Sequence, residues 1–332
     1  MILFYIILCS FSLILSLLLV PVTIGIGKRF NILKPVKNEQ GKPCIGGAAI
    51  YASFIAAVLS SLFFIKMPAV KLSAVALSSF AIMLLGFIDD IKNLRPMLKI
   101  LGELSGILIL MFFGFSTRIA FVPGWANILI TITWFLFITN AFNLLDIMDG
   151  LTSGLVIIIS LSLLIIAAAS KDVFSCVILA AFIGAHLGFL RYNYPPAKVY
   201  MGDTGSLFSG FVLAMIAINI DYAPIDRTVA LLTPILAMSL PVYDTLFLII
   251  MRVKKKKPIF DKTKDHFALR LVTMGYSVKK SVWIMYAFSA FLALAAIIVS
   301  FSGNLTGIIV LVIVGLVFIL AGKKAGMASV ND

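Results

Sequence analysis

Charge is what this chain has least of. Of its 332 residues 12% are charged and 62% hydrophobic, with a mean hydropathy of +1.14, whereas a soluble domain carries roughly 25% charged residues. So little charge cannot clothe a sizeable water-facing domain, and a soluble enzyme is excluded. Cysteine is scarce too: Cys9, Cys44 and Cys176 lie far apart, which excludes a disulfide framework or a zinc cluster and leaves them as small apolar residues. The histidines are His186 and His266. The first sits in an apolar run and reads as structural, while the second follows Lys264-Asp265 in the longest basic loop, a more exposed and reactive setting. The N-terminal run lacks the basic start and small-residue cleavage site of a secretory signal, so it reads as a retained span.

Long apolar runs are abundant. A bilayer core of about 30 Å takes about 20 apolar residues as helix, and runs of that order fall near residues 2–24, 45–65, 72–88, 98–115, 128–142, 151–169, 173–190, 207–220, 228–250, 282–301 and 306–321. The expected architecture is an all-α, polytopic membrane bundle of about eleven helices forming one domain over residues 1–332, with Pro234 and Pro241 interrupting the ninth span. Threading these spans puts 22 of the 27 Lys and Arg on one side. By the positive-inside rule that side is cytoplasmic, the N-terminus outside and the C-terminus inside. The net charge of +13 is then a topology signal with an anionic-lipid contact, and nucleic acid is not an expected partner. The run Lys254 to Lys257 reads the same way.

The acids were not used in that assignment, yet they sort with it. Asp89, Asp90, Asp146, Asp149 and Asp203 all fall at span ends or loops of the cytoplasmic side, with Asp244 and Glu103 one to two turns inside their spans. An ion or proton pathway would place acids near the midplane, so the chemistry belongs at one interface. Its centre is Asn140-Ala-Phe-Asn-Leu-Leu-Asp-Ile-Met-Asp-Gly150. If that segment continues as a helix, Asn143 and Asp146, and Asp146 and Asp149, share a face and need a cation, a proton or water. Asp89-Asp90 diverge by about a quarter turn at a helix end, ahead of Lys92, Arg95 and Lys99. Met201-Gly-Asp-Thr-Gly-Ser206 sets one carboxylate among glycines that let backbone N–H groups approach a phosphate. Together these elements describe a Mg²⁺ and diphosphate site beside lipid.

Asp89-Asp90, Asn140-x-x-Asn143-x-x-Asp146-x-x-Asp149-Gly150, Asn193-x-Pro-Pro-Ala-Lys-Val-Tyr-Met-Gly-Asp203-x-Gly-Ser206 and the basic loop with His266 resemble the motif set of the polyprenyl-phosphate N-acetylhexosamine-1-phosphate transferases. These share a superfamily with the translocase that makes the first lipid intermediate of peptidoglycan. The resemblance covers about residues 41–270. It implies transfer of a sugar 1-phosphate, N-acetylglucosamine 1-phosphate or a relative, from a UDP-sugar to undecaprenyl phosphate. UMP is released and a cell-envelope glycan begun: lipopolysaccharide, O-antigen or teichoic acid. It also implies Mg²⁺, with Mn²⁺ as a substitute, a cytoplasmic active site and a homodimer. Carried over by position, Asp203 and Asn143 are the metal residues, and Asp89, Asp90, Asp146, Asp149 and His266 the catalytic ones. Lys99, Asn143, Asn193 and Arg270 bind substrate. The chain departs from the family in having one histidine within Asp261-Lys-Thr-Lys-Asp-His-Phe-Ala-Leu-Arg270, and Lys42-Pro-Cys-Ile-Gly-Gly47 in the first loop.

A phosphate monoester has a second pKa near 6, so the lipid phosphate is mostly dianion at neutral pH and the harder task is bringing two anions together. Mg²⁺ on Asp203, with Lys99, His266 and Arg270 offsetting charge, is the expected arrangement. Direct attack is the preferred course, and a covalent step through Asp89 or Asp90 stays open. A polyprenyl-lipid transporter or scramblase, and an inactive relative acting as a membrane partner, are the competing readings. The first fits poorly with one-sided acids, and the second with five retained carboxylates.

Overall fold

A computed structural model describes residues 1–36, 39–222, 227–256 and 265–326. Lys37, Lys257, Asp261, Lys262 and Lys264, used above for topology and motif, lie outside the described residues. The helices are α1 (Ile2–Arg29), α2 (Gly46–Ser60), α3 (Ala69–Lys92), α4 (Pro96–Phe112), α5 (Gly124–Leu145), α6 (Leu151–Ala169), α7 (Val173–Asn193), α8 (Gly202–Asn219), α9 (Thr233–Ala237), α10 (Ser239–Lys254), α11 (Phe267–Thr273), α12 (Val278–Phe301) and α13 (Asn304–Gly326). By length and apolarity eight of the described helices can cross a membrane, or nine when α9 and α10 with the preceding 3-10 turn, bent by 72°, count as one span. The protein is a polytopic, helical membrane protein. Each expected span has a helix at its place. The bend in the ninth falls between α9 and α10, whose first turns hold Pro234 and Pro241, positions where a missing N–H does no harm. α4 has only 17 residues and α8 opens on Gly-Asp-Thr-Gly, so polar ends shorten their apolar lengths.

The all-α expectation needs one amendment. Residues of the first basic loop form an antiparallel hairpin, β1 (Leu33–Val36) and β2 (Glu39–Pro43), since Pro35 and Pro43 disfavour helix and the chain must turn back on itself to reach α2.

Contacts divide the chain into two units, Met1–Ile220 and Asp221–Asp332. In the first, α7 and α8 are the core. α1, α2 and α6 pack on α7, while α2, α3 and α5 pack on α8. Phe54, Phe182 and Phe208 interlock edge to face where α2, α7 and α8 meet. In contrast α1 leaves most of its apolar length outward, as a helix bathed in hydrocarbon requires. Two glycines let backbones touch at the start of α8. A Cβ on Gly86 of α3 would collide with the Asp203 carbonyl, and Gly202, at φ +71°, would put one into the Cys44 carbonyl. In the second unit α12 packs on α9, α10, α11 and α13.

Candidate active site

The site grows from the N-terminus of α8. The first turn of a helix leaves N–H groups without intrahelical partners, and Asp90 supplies them from the last turn of α3. Its Oδ1 accepts the Asp203 N–H at 2.9 Å, and its Oδ2 accepts the Thr204 N–H at 2.9 Å and the Thr204 hydroxyl at 2.7 Å. The adjoining Asp89 points elsewhere, as a quarter-turn offset demands. Asp89 Oδ1 accepts the Leu94 N–H at 2.6 Å, which ties the tight turn after Asn93 (φ 48°) and sends α4 back past α3. That reversal brings Lys99, one turn into α4, onto Asp89 Oδ2 and, at 2.9 Å, onto Asp203 Oδ2.

Asn143, from the last turn of α5, donates through Nδ2 to Asp203 Oδ1 and to Ser206 Oγ, each at 2.9 Å. Asp203 is thus held on both oxygens, yet its side chain keeps 24% of its surface exposed. A turn deeper, Asn140 donates to Glu103 Oε2 at 2.6 Å. This ties α5 directly to α4 behind the Asn143–Asp203 pair and leaves buried Glu103 Oε1 without a partner among the described residues.

α5 stops at Leu145, so Asp146 and Asp149 do not share a helical face with Asn143 as expected from spacing. They lie in the turn to α6, which closes on Gly150 at φ +77°. Asp149 Oδ2 accepts the Ala197 N–H at 2.8 Å. Asn193, ending α7, accepts the Gly150 N–H at 3.0 Å and donates to the Val199 carbonyl at 2.9 Å. The two side chains therefore brace the 146–150 turn against residues 197–199. Burial pushes the Asp146 carboxyl up to about 7, the Lys34 ammonium drawing it back in part. Asp146, Asp149 and Asn193 line a cleft of ≈ 250 Å³ with Lys34, Pro35, Tyr200 and Met201. Lys34, from β1, reaches Asp90 Oδ1 at 3.3 Å. Burial works against its charge, but the Asp90, Asp203 and Asp146 carboxylates outweigh this and hold the ammonium above its ordinary pKa.

His266 and Arg270 belong to the second unit. His266 immediately precedes α11, and Arg270 lies within it. The histidine stands at the N-cap position without a capping bond of its own, its Nδ1 2.7 Å from Asp244 Oδ2, while Asp244 Oδ1 accepts the Phe267 N–H at 2.7 Å. Arg270 is 1% exposed. It donates to Asp265 Oδ1 at 2.7 Å and to the Ala325 carbonyl at 2.9 Å, lying over the Phe247 ring. Lys255 donates to both Asp265 oxygens at 3.0 Å.

The first unit therefore gathers Asp89, Asp90, Lys99, Asn143 and Asp203 at one point, with Asp146, Asp149 and Asn193 in the adjoining cleft. Sequence reasoning did not find Lys34, read there as a topogenic charge, nor the pairings Glu103–Asn140, Asp244–His266 and Asp265–Arg270. The first of these pairs had a faint signal, Glu103 standing one turn after Lys99 and Asn140 one turn before Asn143.

Among the described residues no three His, Cys, Asp or Glu side chains group as a metal site. Mg²⁺, however, is commonly held by one or two carboxylates together with substrate phosphates and water. Asp203, part-exposed and occupied on Oδ2 by a cation already, is a donor of that kind. The arrangement suits binding and neutralising phosphates at a helix N-terminus against a bilayer.

These features define a membrane-embedded enzyme class acting on phosphates at the ends of its helices, and comparison makes the class specific. The profile of glycosyl transferase family 4 matches residues 72–221, a stretch holding all five clustered aspartates. A Bacillus subtilis protein named "Probable undecaprenyl-phosphate N-acetylglucosaminyl 1-phosphate transferase" is 30% identical over 299 residues, 86% of this chain and 82% of that protein. The decaprenyl-phosphate N-acetylglucosaminephosphotransferase of Mycolicibacterium smegmatis is 29% identical over 296 residues, 78% of this chain and 72% of its own. The phospho-N-acetylmuramoyl-pentapeptide-transferase of Caldicellulosiruptor bescii is 29% identical over 314 residues, 86% and 94% of the two chains. The chain belongs to glycosyl transferase family 4.

Proposed function

We propose that this protein transfers N-acetylglucosamine 1-phosphate, or a close N-acetylhexosamine relative, from its UDP-sugar to a polyprenyl phosphate and releases UMP, opening synthesis of a cell-envelope glycan. The observation that carries the reading is Lys99 bridging Asp89 and Asp203 at the start of α8, in a chain 30% identical over most of its length to a relative named for this reaction. The proposal places this site on the cytoplasmic face, with the N-terminus outside, eleven crossings in one transferase domain, and the C-terminus inside. The positive-inside count and the helix found at each expected span support that threading. A homodimer is proposed from the family resemblance alone.

In the proposed mechanism the chain's residues mainly neutralise and position. Asp203 and the carbonyl of Asn143 are the groups that would hold Mg²⁺, and the ion when bound would supply positive charge to the donor diphosphate. Asn143 and Lys99 fix the Asp203 carboxylate from either side. Asp90, by capping α8, keeps Asp203 at the first turn, where the remaining N–H groups and helix dipole favour anions. Lys99 offsets charge as the two substrates approach. The acceptor phosphate is already largely ionised at neutral pH; its oxygen attacks the β-phosphorus in line, a new P–O bond forms, and the bond to the α-phosphate oxygen breaks. UMP leaves with that electron pair. For His266, whose Nδ1 lies 2.7 Å from Asp244 Oδ2, a catalytic role is proposed from the family resemblance alone. Direct attack is preferred because Asp89 is engaged on both oxygens and Asp90 is bound to the N-terminus of α8.

The test is UMP release by the purified full-length protein in detergent, with polyprenyl phosphate, Mg²⁺ and a panel of UDP-sugars. Release with an N-acetylhexosamine donor, abolished by chelator, is expected. No release with any donor, from protein that still binds polyprenyl phosphate, would favour the lipid-transporter reading.

A further inference from the structure

Glu103 is a buried carboxylate that the mechanism above does not use. It lies on α4, is 1% exposed, and accepts Asn140 Nδ2 on Oε2 at 2.6 Å. Its other oxygen is sealed from solvent and has no hydrogen-bond partner among the described residues. A buried acceptor left unsatisfied is destabilising, so Oε1 is built for a partner that arrives at another stage.

Lys99 is the cation placed to become that partner. It stands four residues earlier on α4 and so shares a face with Glu103, whose side chain leans back toward the start of the helix. The Lys99 ammonium acts electrostatically on the Glu103 carboxylate. At present it sits on Asp89 Oδ2 and, at 2.9 Å, on Asp203 Oδ2. Asp203 Oδ1 already accepts from Asn143, so a second cation can take this carboxylate fully only if Lys99 gives up Oδ2. A lysine has a flexible stem and three donors. One donor can therefore stay on Asp89 while another changes acceptor.

From this arrangement we infer that Glu103 is a positioning residue that acts through Lys99: when a divalent cation takes Asp203, the ammonium keeps Asp89 and turns from Asp203 to Glu103 Oε1. The inference rests on the transferase reading and deepens it. Loading the site then moves a charge along α4 instead of expelling it to solvent. The orphaned oxygen gains its partner, and Lys99 stays close enough to offset the charge of the approaching phosphates.

The experiment is Mn²⁺ binding to the full-length protein in detergent, followed by the paramagnetic resonance signal of the free ion and counted as the part lost in Asp203→Asn. The proteins are the wild type, Glu103→Gln, Lys99→Gln and the double variant. Glutamine keeps the bond from Asn140 but cannot offset an ammonium. Glu103→Gln should therefore weaken Mn²⁺ about tenfold, the worth of one charge-assisted hydrogen bond. In turnover it should raise the Mg²⁺ concentration for half-maximal UMP release by a like factor, with kcat at saturating Mg²⁺ changed less than about twofold. In the Lys99→Gln background the same substitution should alter Mn²⁺ affinity less than about twofold, since no ammonium is left to reseat. Equal weakening in both backgrounds means that Glu103 acts on the ion by its own charge, and unchanged affinity with a lower unfolding midpoint means that it only ties α4 to α5. Either result overturns the inference, as does a wild type without Asp203-dependent Mn²⁺ binding. Should Glu103→Gln fail to fold, acetylation of the native protein decides: saturating Mg²⁺ must slow the modification of Lys99, whereas an ammonium expelled to solvent reacts faster. UMP release alongside any contrary result removes this role of Glu103 and leaves the transferase reading standing. Mn²⁺ binding as expected with no UMP release sinks the transferase reading alone.

Discussion

The two units each bury a set of aspartates, and they treat them differently. In the second unit Asp265 meets the Arg270 guanidinium and the Lys255 ammonium, and Asp244 meets the His266 ring and a backbone N–H. Both of these carboxylates have a cationic or ring partner close by, and Arg270 is sealed from solvent. In the first unit Asp89 and Asp203 share the Lys99 ammonium and Asp90 meets that of Lys34, while backbone N–H groups bind Asp89, Asp90 and Asp149. A matched cluster in a dry setting holds structure together, since removing one member leaves a charge uncompensated. An under-matched cluster beside a cleft open to solvent suits the cation and anionic ligand proposed for it above. The difference lies in the balance of charge and not in the number of acids.

Four substitutions probe this contrast. Asp265→Ala removes the carboxylate that meets buried Arg270 and should destabilise the protein by about 3–5 kcal/mol, read as a drop in thermal midpoint in detergent. The turnover of the molecules that remain folded should fall only slightly, and a large loss of turnover at unchanged stability would erase the contrast between the clusters. Asp203→Asn should do the reverse, cutting turnover by about 10²–10³-fold with the thermal midpoint nearly unchanged. Gly86→Ala tests whether geometry links the two properties in the first unit. Its Cβ meets the Asp203 backbone, so α3 and α8 must separate, at about 1–3 kcal/mol for overpacking, and turnover should fall with stability. If Gly86→Ala is neutral by both measures, the close approach is not required.

The smallest effect is one of pH. Burial raises the Asp146 carboxyl to about 7, above the ordinary value of about 3.9. Between those values the native state binds more protons than the unfolded chain, so this group makes stability fall as pH rises from about 4 to about 7 and contributes no further slope above. Asp146→Asn should flatten the wild-type decline of thermal midpoint across that window and be the more stable protein at its alkaline end. Parallel curves for the two proteins would show that Asp146 is not desolvated.

Much of this was legible in the residues. The apolar runs located every span that the structure shows as helix, because a backbone in hydrocarbon has no choice but to satisfy its own hydrogen bonds. The clustering of Asp89, Asp90, Asp146, Asp149 and Asp203 followed from threading alone, since helices of fixed length deliver their ends to one surface. What spacing misjudged was the end of α5. A three-residue interval has meaning only while the helix lasts, and Gly150 at positive φ converts Asp146 and Asp149 into turn residues. Lys34 gave no sign of its place, because a basic residue in a loop between spans serves topology whether or not it folds over a site.

By itself, then, the sequence determined the membrane setting, the order of spans and the set of acids at one surface, all consequences of local apolarity and charge. The tertiary structure decided which acid caps α8, which shares Lys99, and which basic residue overhangs the cleft. Those assignments join Lys34 to Asp90, Lys99 to Asp203 and Asn143 to Ser206 across 56, 104 and 63 positions of chain, and only the packing of α3, α4, α5 and α8 sets distances of that kind.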